Sequence, residues 1–528
     1  MSVASPKNLE NNISKKLRSN VLKIALFATG LAGIVAEYVL STLATYFLGD
    51  SVFQWTMIVS MMLFSMGLGS RLSKLFEKDL LQKFIYVEFT LSILSAFAAL
   101  LAYTAAAYTM YTGFIIYGFS ILIGLLIGLE IPLVIRLNDE FEELKVNISS
   151  VMEKDYYGSL LGGIFFAFIG LPYLGLTYTP FILGITNFLV ALLLIYVLWS
   201  VLETKVKRRL SLTASGVAVV LIGGLMLAEP IILYGEQQRY RDKIIYQEQS
   251  RYQRIVITQW KDHFWLYING NQQLSTLDEQ MYHEPLVHPA MQLLPSVKDV
   301  LILGGGDGCG VREILKYPGV ENITLVDLDP AMTELGKNHP ILKDLNNGAL
   351  LNEKVEIVNE DAFHFLENTN QYFDVVIVDL PDPKTVELGR LYSMEFYTLA
   401  SRQMRPNAVM ITQAGSPYFA TKAFYCIDKT MSAAGFKTQP MHNQVVTLGE
   451  WGWVIGVKTE QSSLNLKEKL QQLSFTDIET AWLNQEAMQL MTSFGKNFFL
   501  SENDSVEVNT VHNPVLYKYY LDGNWDIY

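Results

Sequence analysis

Apolar positions follow two regimes along this chain, and the regime changes near residue 235. Up to that point they run in near-continuous blocks, roughly 21–49, 52–70, 84–107, 113–135, 156–175, 179–202 and 210–229. Each block approaches or exceeds the ~20 residues that a helix needs to cross a ~30 Å hydrocarbon core. The pattern predicts a multi-pass α-helical membrane domain of about seven helices over residues 1–235. The fifth block is the least regular, because Gly and Pro interrupt it. No cleavable leader is expected: the first block is too long for one and lacks a small-residue cleavage site.

Beyond residue 235 the period shortens. Residues 244–247, 254–260 and 263–268 carry alternating or β-rich patterns, broken by the turn signals Lys261-Asp262 and Asn269-Gly270-Asn271. They predict a small antiparallel β-unit within residues 236–290. From residue 297 strand and helix patterns alternate, with strands near 300–303, 323–326, 355–358, 375–378 and 409–412 and helices near 310–316 and 330–337. Such alternation predicts a parallel, doubly wound, Rossmann-like α/β domain of the adenosylmethionine-binding type over residues 291–460. Ligands of such sheets sit at the carboxyl ends of the strands. Residues 461–528 read as an extension packed on that domain.

Half of the 528 residues are hydrophobic, more than in an average soluble chain. The net charge of −12 argues against a nucleic-acid partner and suits cationic ligands. Two cysteines, Cys309 and Cys426, are too few for a disulfide framework. Basic residues fall in alternate loops: Lys15, Lys16, Arg18 and Lys23; Arg71, Lys74, Lys78 and Lys83; Arg136, Lys145 and Lys154; Lys205, Lys207, Arg208 and Arg209. The loops at 50–51, 108–112 and 176–178 hold neither Lys nor Arg. In a cell-membrane protein this bias places the N-terminus in the cytoplasm, and seven spans would then carry the second half to the outer face. Glu37 and Glu130 fall well inside spans, where a cation- or proton-linked role and a structural hydrogen bond both stay open. Glu88 and Asp155 read as hydrated groups near the interface. Gly67-Leu68-Gly69 and Gly162-Gly163 read as sites of close helix packing.

Three acidic strand ends carry the chemistry. The first is the turn Leu301-Ile302-Leu303-Gly304-Gly305-Gly306-Asp307-Gly308, where Gly304 and Gly306 let the backbone approach a ligand closely. Its spacing is not that of a dinucleotide-binding turn, and nothing basic cradles a pyrophosphate. The second is Val326-Asp327-Leu328-Asp329, where Asp327 can accept both hydroxyls of a ribose. Asp361 can accept from an adenine amino group or cap the next helix. These features describe an adenosyl sulfonium ligand. Asp307 would face its aliphatic tail, repel the carboxylate of S-adenosylmethionine and pair with the ammonium of the decarboxylated form. The alternative is an aspartate that satisfies turn amides. The third strand end, Val378-Asp379-Leu380-Pro381-Asp382-Pro383, offers two carboxylates to a protonated alkylamine. With a pKa of about 10.4 such an amine must lose a proton before it can attack carbon. Asp379 is the candidate acceptor of that proton and Asp382 a second anchor.

With Tyr252-Gln253, Gln273, Asp278-Glu279 and Tyr282-His283-Glu284, these motifs resemble the spermidine synthases, the polyamine aminopropyltransferases, over residues 252–419. The apolar first half resembles their membrane-fused branch. The resemblance implies attack of a putrescine nitrogen on the propyl carbon beside the sulfonium of decarboxylated S-adenosylmethionine. That co-substrate replaces any permanently bound cofactor, and no metal is implied. Asp379 would be the catalytic acceptor; Tyr282 and Asp382 would bind the diamine; Asp307 and Gln253 would hold the aminopropyl end. Asp327 would bind ribose and Asp361 adenine, with Gln273 and His283 lining the nucleoside pocket. Lipid bilayer, polyamine and a second copy of the chain are the implied partners. The ribose acid of the family is commonly Glu, one methylene longer than Asp327, and its late tyrosine has no counterpart around 446–451. The rival readings are an adenosylmethionine-dependent methyltransferase and a polyamine transporter or sensor. Cytoplasmic supply of the co-substrate opposes the outer-face placement read from the loop charges.

Overall fold

The long apolar blocks fold as helices α1 (Pro6–Leu48), α2 (Ser51–Leu72), α3 (Leu80–Tyr108), α4 (Thr112–Asn138), α5 (Leu144–Phe165), α6 (Gly175–Val197) and α7 (Thr204–Arg239). They make up the first of two compact units, residues 1–241; the second is 242–528. This computed structural model describes residues 6–49, 51–109, 111–139, 143–459, 465–496, 498–499 and 505–525. The side chains of Lys15 and Lys16, and parts of the 50–51 and 108–112 loops and of the 461–528 extension, lie outside the described residues.

Among the described residues, six continuous helical runs are long and apolar enough to cross a membrane, where the sequence pattern separated seven. The difference lies in Leu144–Val197, a single run of 54 residues. Its two halves, α5 and α6, are joined without a loop by the π-helical segment Phe166–Leu174. Gly175 follows it with φ 60° and ψ −169°, a conformation no helix can continue through. The two halves pass α1 in opposite senses. Gly158 abuts Phe27, Gly162 abuts Leu31 and Phe166 meets Tyr38, so α5 rises with α1. Asn187 shares a crevice with Thr29 and Ala36, and Ser200, just past α6, accepts from Arg18 at 3.4 Å, so α6 descends.

Small residues let these helices close up. A Cβ at Gly69 would lie 2.0 Å from the Leu125 carbonyl oxygen, and one at Gly162 would lie 2.6 Å from that of Leu31. Gly67, by contrast, faces open space. Glu88 departs from the expectation of a hydrated interfacial group. It is fully buried beside Glu130, and neither of its carboxylate oxygens has a hydrogen-bond partner among the described residues. The reason is local: the neighbouring turns are mostly apolar, with Phe84, Ile85 and Leu91 on α3 and Leu126, Leu133 and Val134 on α4. Glu37 and Asp155 are half-buried.

The second unit opens with β1 (Lys243–Gln249), β2 (Arg254–Trp260), β3 (His263–Ile268) and β4 (Asn271–Ser275), an antiparallel sheet in sequence order. Lys261 and Asn269 take positive φ at its tight turns, as the turn signals required. After helix α8 (Gln280–Gln292) comes a seven-stranded sheet of β5 (Asp299–Gly304), β6 (Asn322–Val326), β7 (Val355–Val358), β8 (Phe373–Asp379), β9 (Met404–Gly415), β10 (Lys437–Val445) and β11 (Gly449–Val457). Its order is β10-β11-β9-β8-β5-β6-β7. The sheet is mixed rather than wholly parallel: β11 runs antiparallel to β9, and β10 antiparallel to β11. A hairpin needs no helical crossover, so these two strands escaped a pattern built on strand–helix alternation.

Period-two alternation builds the core. Val375 and Ile377 of β8 join one cluster with Ile302, Ile411 and Trp453, while Val376 and Val378 join the other with Leu303, Met410 and Val454. The small sheet packs Ile255, Ile257, Leu266 and Leu274 against Cys309, Met332 and Leu335, which follow the glycine turn and β6. That contact roofs the carboxyl ends of β5 and β6.

Candidate active site

Asp379 ends β8, and its register partner on β5 is Gly304. Gly304 has φ +86°, and a Cβ there would lie 2.0 Å from the Asp379 carbonyl oxygen, so only glycine lets the two strand ends meet. The N–H of Gly306 donates to Asp327 Oδ2 at 3.2 Å, and the N–H of Asp329 donates to Asp327 Oδ1 at 2.9 Å. Asp307 Oδ1 accepts from the Cys309 N–H at 2.8 Å, so this carboxylate does satisfy a turn amide. It also faces His283 Nε2 at 3.8 Å. The turn-amide reading of Asp307 therefore holds.

A cavity of about 380 Å³ lies over these strand ends. Gln253, Gln273, Tyr282, His283, Gly304, Gly306, Asp307, Asp327, Asp379 and Asp382 all line it. Asp361 does not. It caps the helix Ala362–Asn368, accepting from the N–H groups of Phe363 and His364 at 3.0 and 3.1 Å, and its other oxygen pairs with Arg390.

At the amine-facing end the Tyr282 hydroxyl donates to Asp379 Oδ1 at 2.7 Å. Asp382 receives three groups that sequence reasoning missed. The Tyr520 hydroxyl donates to Oδ2 at 2.7 Å, Gln413 Nε2 approaches Oδ1 at 3.4 Å, and Lys384 Nζ stands 3.9 Å from Oδ2. Tyr520 comes from the C-terminal helix Leu516–Leu521, for which the only signal was the aromatic run Tyr517, Tyr519 and Tyr520. Trp451 lines the cavity at the place where the late tyrosine was sought.

Charge is distributed unevenly. Burial pushes the Asp379 carboxyl up to about 6; the positive charge of His283 pulls it down, Asp307 pushes it up, and the Tyr282 hydrogen bond lowers it. Asp327 is likewise raised to about 6, by burial first, against the amides of Asp329 and Gly306. Burial would lower His283, but its hydrogen bond to Glu279 and the charges of Asp307, Glu279 and Asp379 carry it to about 9. Glu279 holds His283 Nδ1 at 2.8 Å and is itself gripped by two Arg312 nitrogens at 2.9 Å. His283, Asp307 and Asp379 bring ligand atoms within 4.8 Å of one another, a spacing that would also suit a metal ion. An imidazole protonated at neutral pH is a poor metal donor. Two carboxylates recessed beside it suit an organic cation better.

Residues 279–468 match the family model of the spermine/spermidine synthase domain. The chain is 43% identical over 505 residues to polyamine aminopropyltransferase 2 of Aquifex aeolicus, covering 95% of this chain and 98% of that one. It is 40% identical over 508 residues to polyamine aminopropyltransferase of Leptospira interrogans, covering 96% and 98%. A solved spermidine synthase in complex with the transition-state analogue AdoDATO matches at 28% identity and TM-score 0.45, over 50% of this chain and 88% of that one.

Proposed function

This chain belongs to the polyamine aminopropyltransferase family, and from that premise we propose that it converts putrescine to spermidine with decarboxylated S-adenosylmethionine. A putrescine nitrogen lone pair attacks the propyl carbon beside the sulfonium. A C–N bond forms, the C–S bond breaks with its electrons going to sulfur, and methylthioadenosine and a proton leave.

The observation that carries this reading is Asp379 at a strand end, held by Tyr282 and raised to about 6. A carboxylate so placed is ionised at neutral pH and basic enough to take a proton. Burial works toward release of the proton from an alkylammonium in this recess, while the neighbouring carboxylates hold the cation there until the proton passes. Asp382, with Tyr520 and Gln413 behind it, holds the far end of the acceptor. Asp307 and Gln253 take the aminopropyl ammonium. Asp327 takes the ribose hydroxyls, and Gln273 and His283 flank the nucleoside. Adenine recognition by Asp361 requires Arg390 to release it. Asp307 opposes the carboxylate of ordinary S-adenosylmethionine, which weighs against methyl transfer.

The first unit is proposed to cross the bilayer, and the number of crossings sets the face that carries the cavity. Opposite senses of α5 and α6 favour seven. With a reporter fused after Tyr528, alkaline phosphatase activity without cytoplasmic fluorescence goes with seven crossings, and the reverse goes with six. The unpartnered Glu88, buried beside Glu130, favours a second role for this unit in moving or sensing a cation. The catalytic reading is tested by incubating the detergent-purified chain with both substrates. Spermidine and methylthioadenosine in equal amounts support it; methylthioadenosine release that ignores putrescine overturns it.

A further inference from the structure

Lys384 follows the Asp382-Pro383 pair, and its backbone N–H donates to the Asp382 carbonyl at 2.7 Å. That tight turn folds the lysine back over the aspartate. Its side chain lines the cavity, and its Nζ donates to Asn271 Oδ1 at 2.6 Å. The same ammonium stands 3.9 Å from Asp382 Oδ2 and 5.7 Å from the centre of the Tyr520 ring. A carboxylate, an amide oxygen and an aromatic face therefore surround one primary ammonium at the end of four methylenes. Putrescine has that same chemistry: an ammonium on a four-methylene chain.

We propose that Lys384 is a specificity-determining residue, a tethered ammonium that occupies the Asp382 subsite and that the acceptor amine must displace. The inference rests on the acceptor reading of Asp382 given above. The side chain keeps about a third of its surface in solvent (33% exposed), so it can swing out without opening the core. Burial also lowers its pKa, partly offset by Asp382, so the position is not a comfortable one for the charge. Displacement exchanges one alkylammonium for another and changes no bond. An acceptor with a single charged end gains least from the exchange, whereas one that also engages Asp379 gains at both ends.

The test uses the full chain in detergent with saturating decarboxylated S-adenosylmethionine. Lys384→Met removes the ammonium and keeps the bulk. Its KM for putrescine should fall roughly three- to fivefold, the upper part of the range for one partly exposed ion pair, with the change carried by KM rather than kcat. Lys384→Arg keeps the cation and should restore a wild-type KM within about twofold. An unchanged or raised KM in Lys384→Met overturns the proposal. Calorimetric titration of putrescine into each variant loaded with methylthioadenosine reads the same affinity without turnover. If the wild-type chain turns over no amine at all, the acceptor reading fails and this inference falls with it. If it turns over putrescine normally and Lys384→Met has the same KM, only the inference fails.

Discussion

Glu88 and Asp379 both sit deep in the protein, one in the middle of a helix and the other at the end of a strand, and their surroundings differ in kind. Asp379 has Tyr282 on its carboxylate and the charges of His283 and Asp307 nearby. Asp327 and Asp307 each take backbone N–H groups of the glycine turn and its neighbours. Glu88 has no hydrogen-bond partner among the described residues. Backbone amides account for the support of Asp307 and Asp327, whereas Asp379 is held by the Tyr282 hydroxyl. A helix consumes its own amides, so a carboxylate in its middle depends on groups from other elements. Where strands end and turns begin, amides are free, and carboxylates can be placed there with their charge supported. Chemistry at the carboxyl edge of a sheet follows from that supply of donors.

The largest expected effect falls on the supported carboxylate. Asp379→Asn should lower kcat about 10²–10⁴-fold, the range for loss of a general base, while methylthioadenosine binding persists. Rapid-quench kinetics with calorimetry on the same sample checks both parts.

Next comes the charge network behind the cavity. Glu279→Gln leaves Arg312 and His283 facing a neutral amide, and breaking a buried pair costs about 3–5 kcal/mol. Denaturant unfolding of the solubilised chain measures it, and a cost below about 1 kcal/mol would mean that the network is solvated.

pH should divide activity from stability. Asp379 and Asp327 are raised above the ordinary aspartate value. Their stabilising contribution is present at low pH and lost as pH rises through about 6. Glu313 is lowered to about 2 by His288, Lys316 and Arg312 against burial, so its contribution is present above the ordinary glutamate range and lost as pH falls through about 2. His283, raised to about 9, adds stability that is lost as pH climbs through about 9. Between pH 5 and 7, Asp379→Asn should therefore gain stability relative to wild type as pH increases. Thermal unfolding over that range checks the sign.

Tyr520→Phe removes one hydrogen bond to Asp382 and should raise the putrescine KM roughly tenfold, with little change in kcat. The smallest effect belongs to the buried carboxylates of the first unit: Glu88→Gln and Glu130→Gln should leave aminopropyl transfer within about twofold and stability within about 1 kcal/mol. A large loss of activity from either would mean that the two units are coupled.

What was legible in the sequence follows the same division. The apolar blocks and the acidic strand ends are local signals, a run of β-branched residues followed by Gly or Asp, and Asp307, Asp327, Asp379 and Asp382 all line one cavity. The Asp382 surroundings were not legible, because Tyr520 reaches it across 138 residues of chain and Gln413 across 31. Asp361 reads alike as an adenine acceptor and a helix cap; in this structure it caps a helix and pairs with Arg390. The β10–β11 hairpin was missed because its strands follow one another without a helix. Glu88 was misplaced because hydropathy gives depth along a helix but not which face of it meets another helix.

The most direct measurement is the pH dependence of single-turnover methylthioadenosine release with putrescine, from pH 4.5 to 9. A rising limb centred near 6 that Asp379→Asn lacks is the result predicted by the Asp379 value of about 6. A rate that ignores pH in this range, or a limb kept in the variant, would contradict Asp379 as the group that takes the proton.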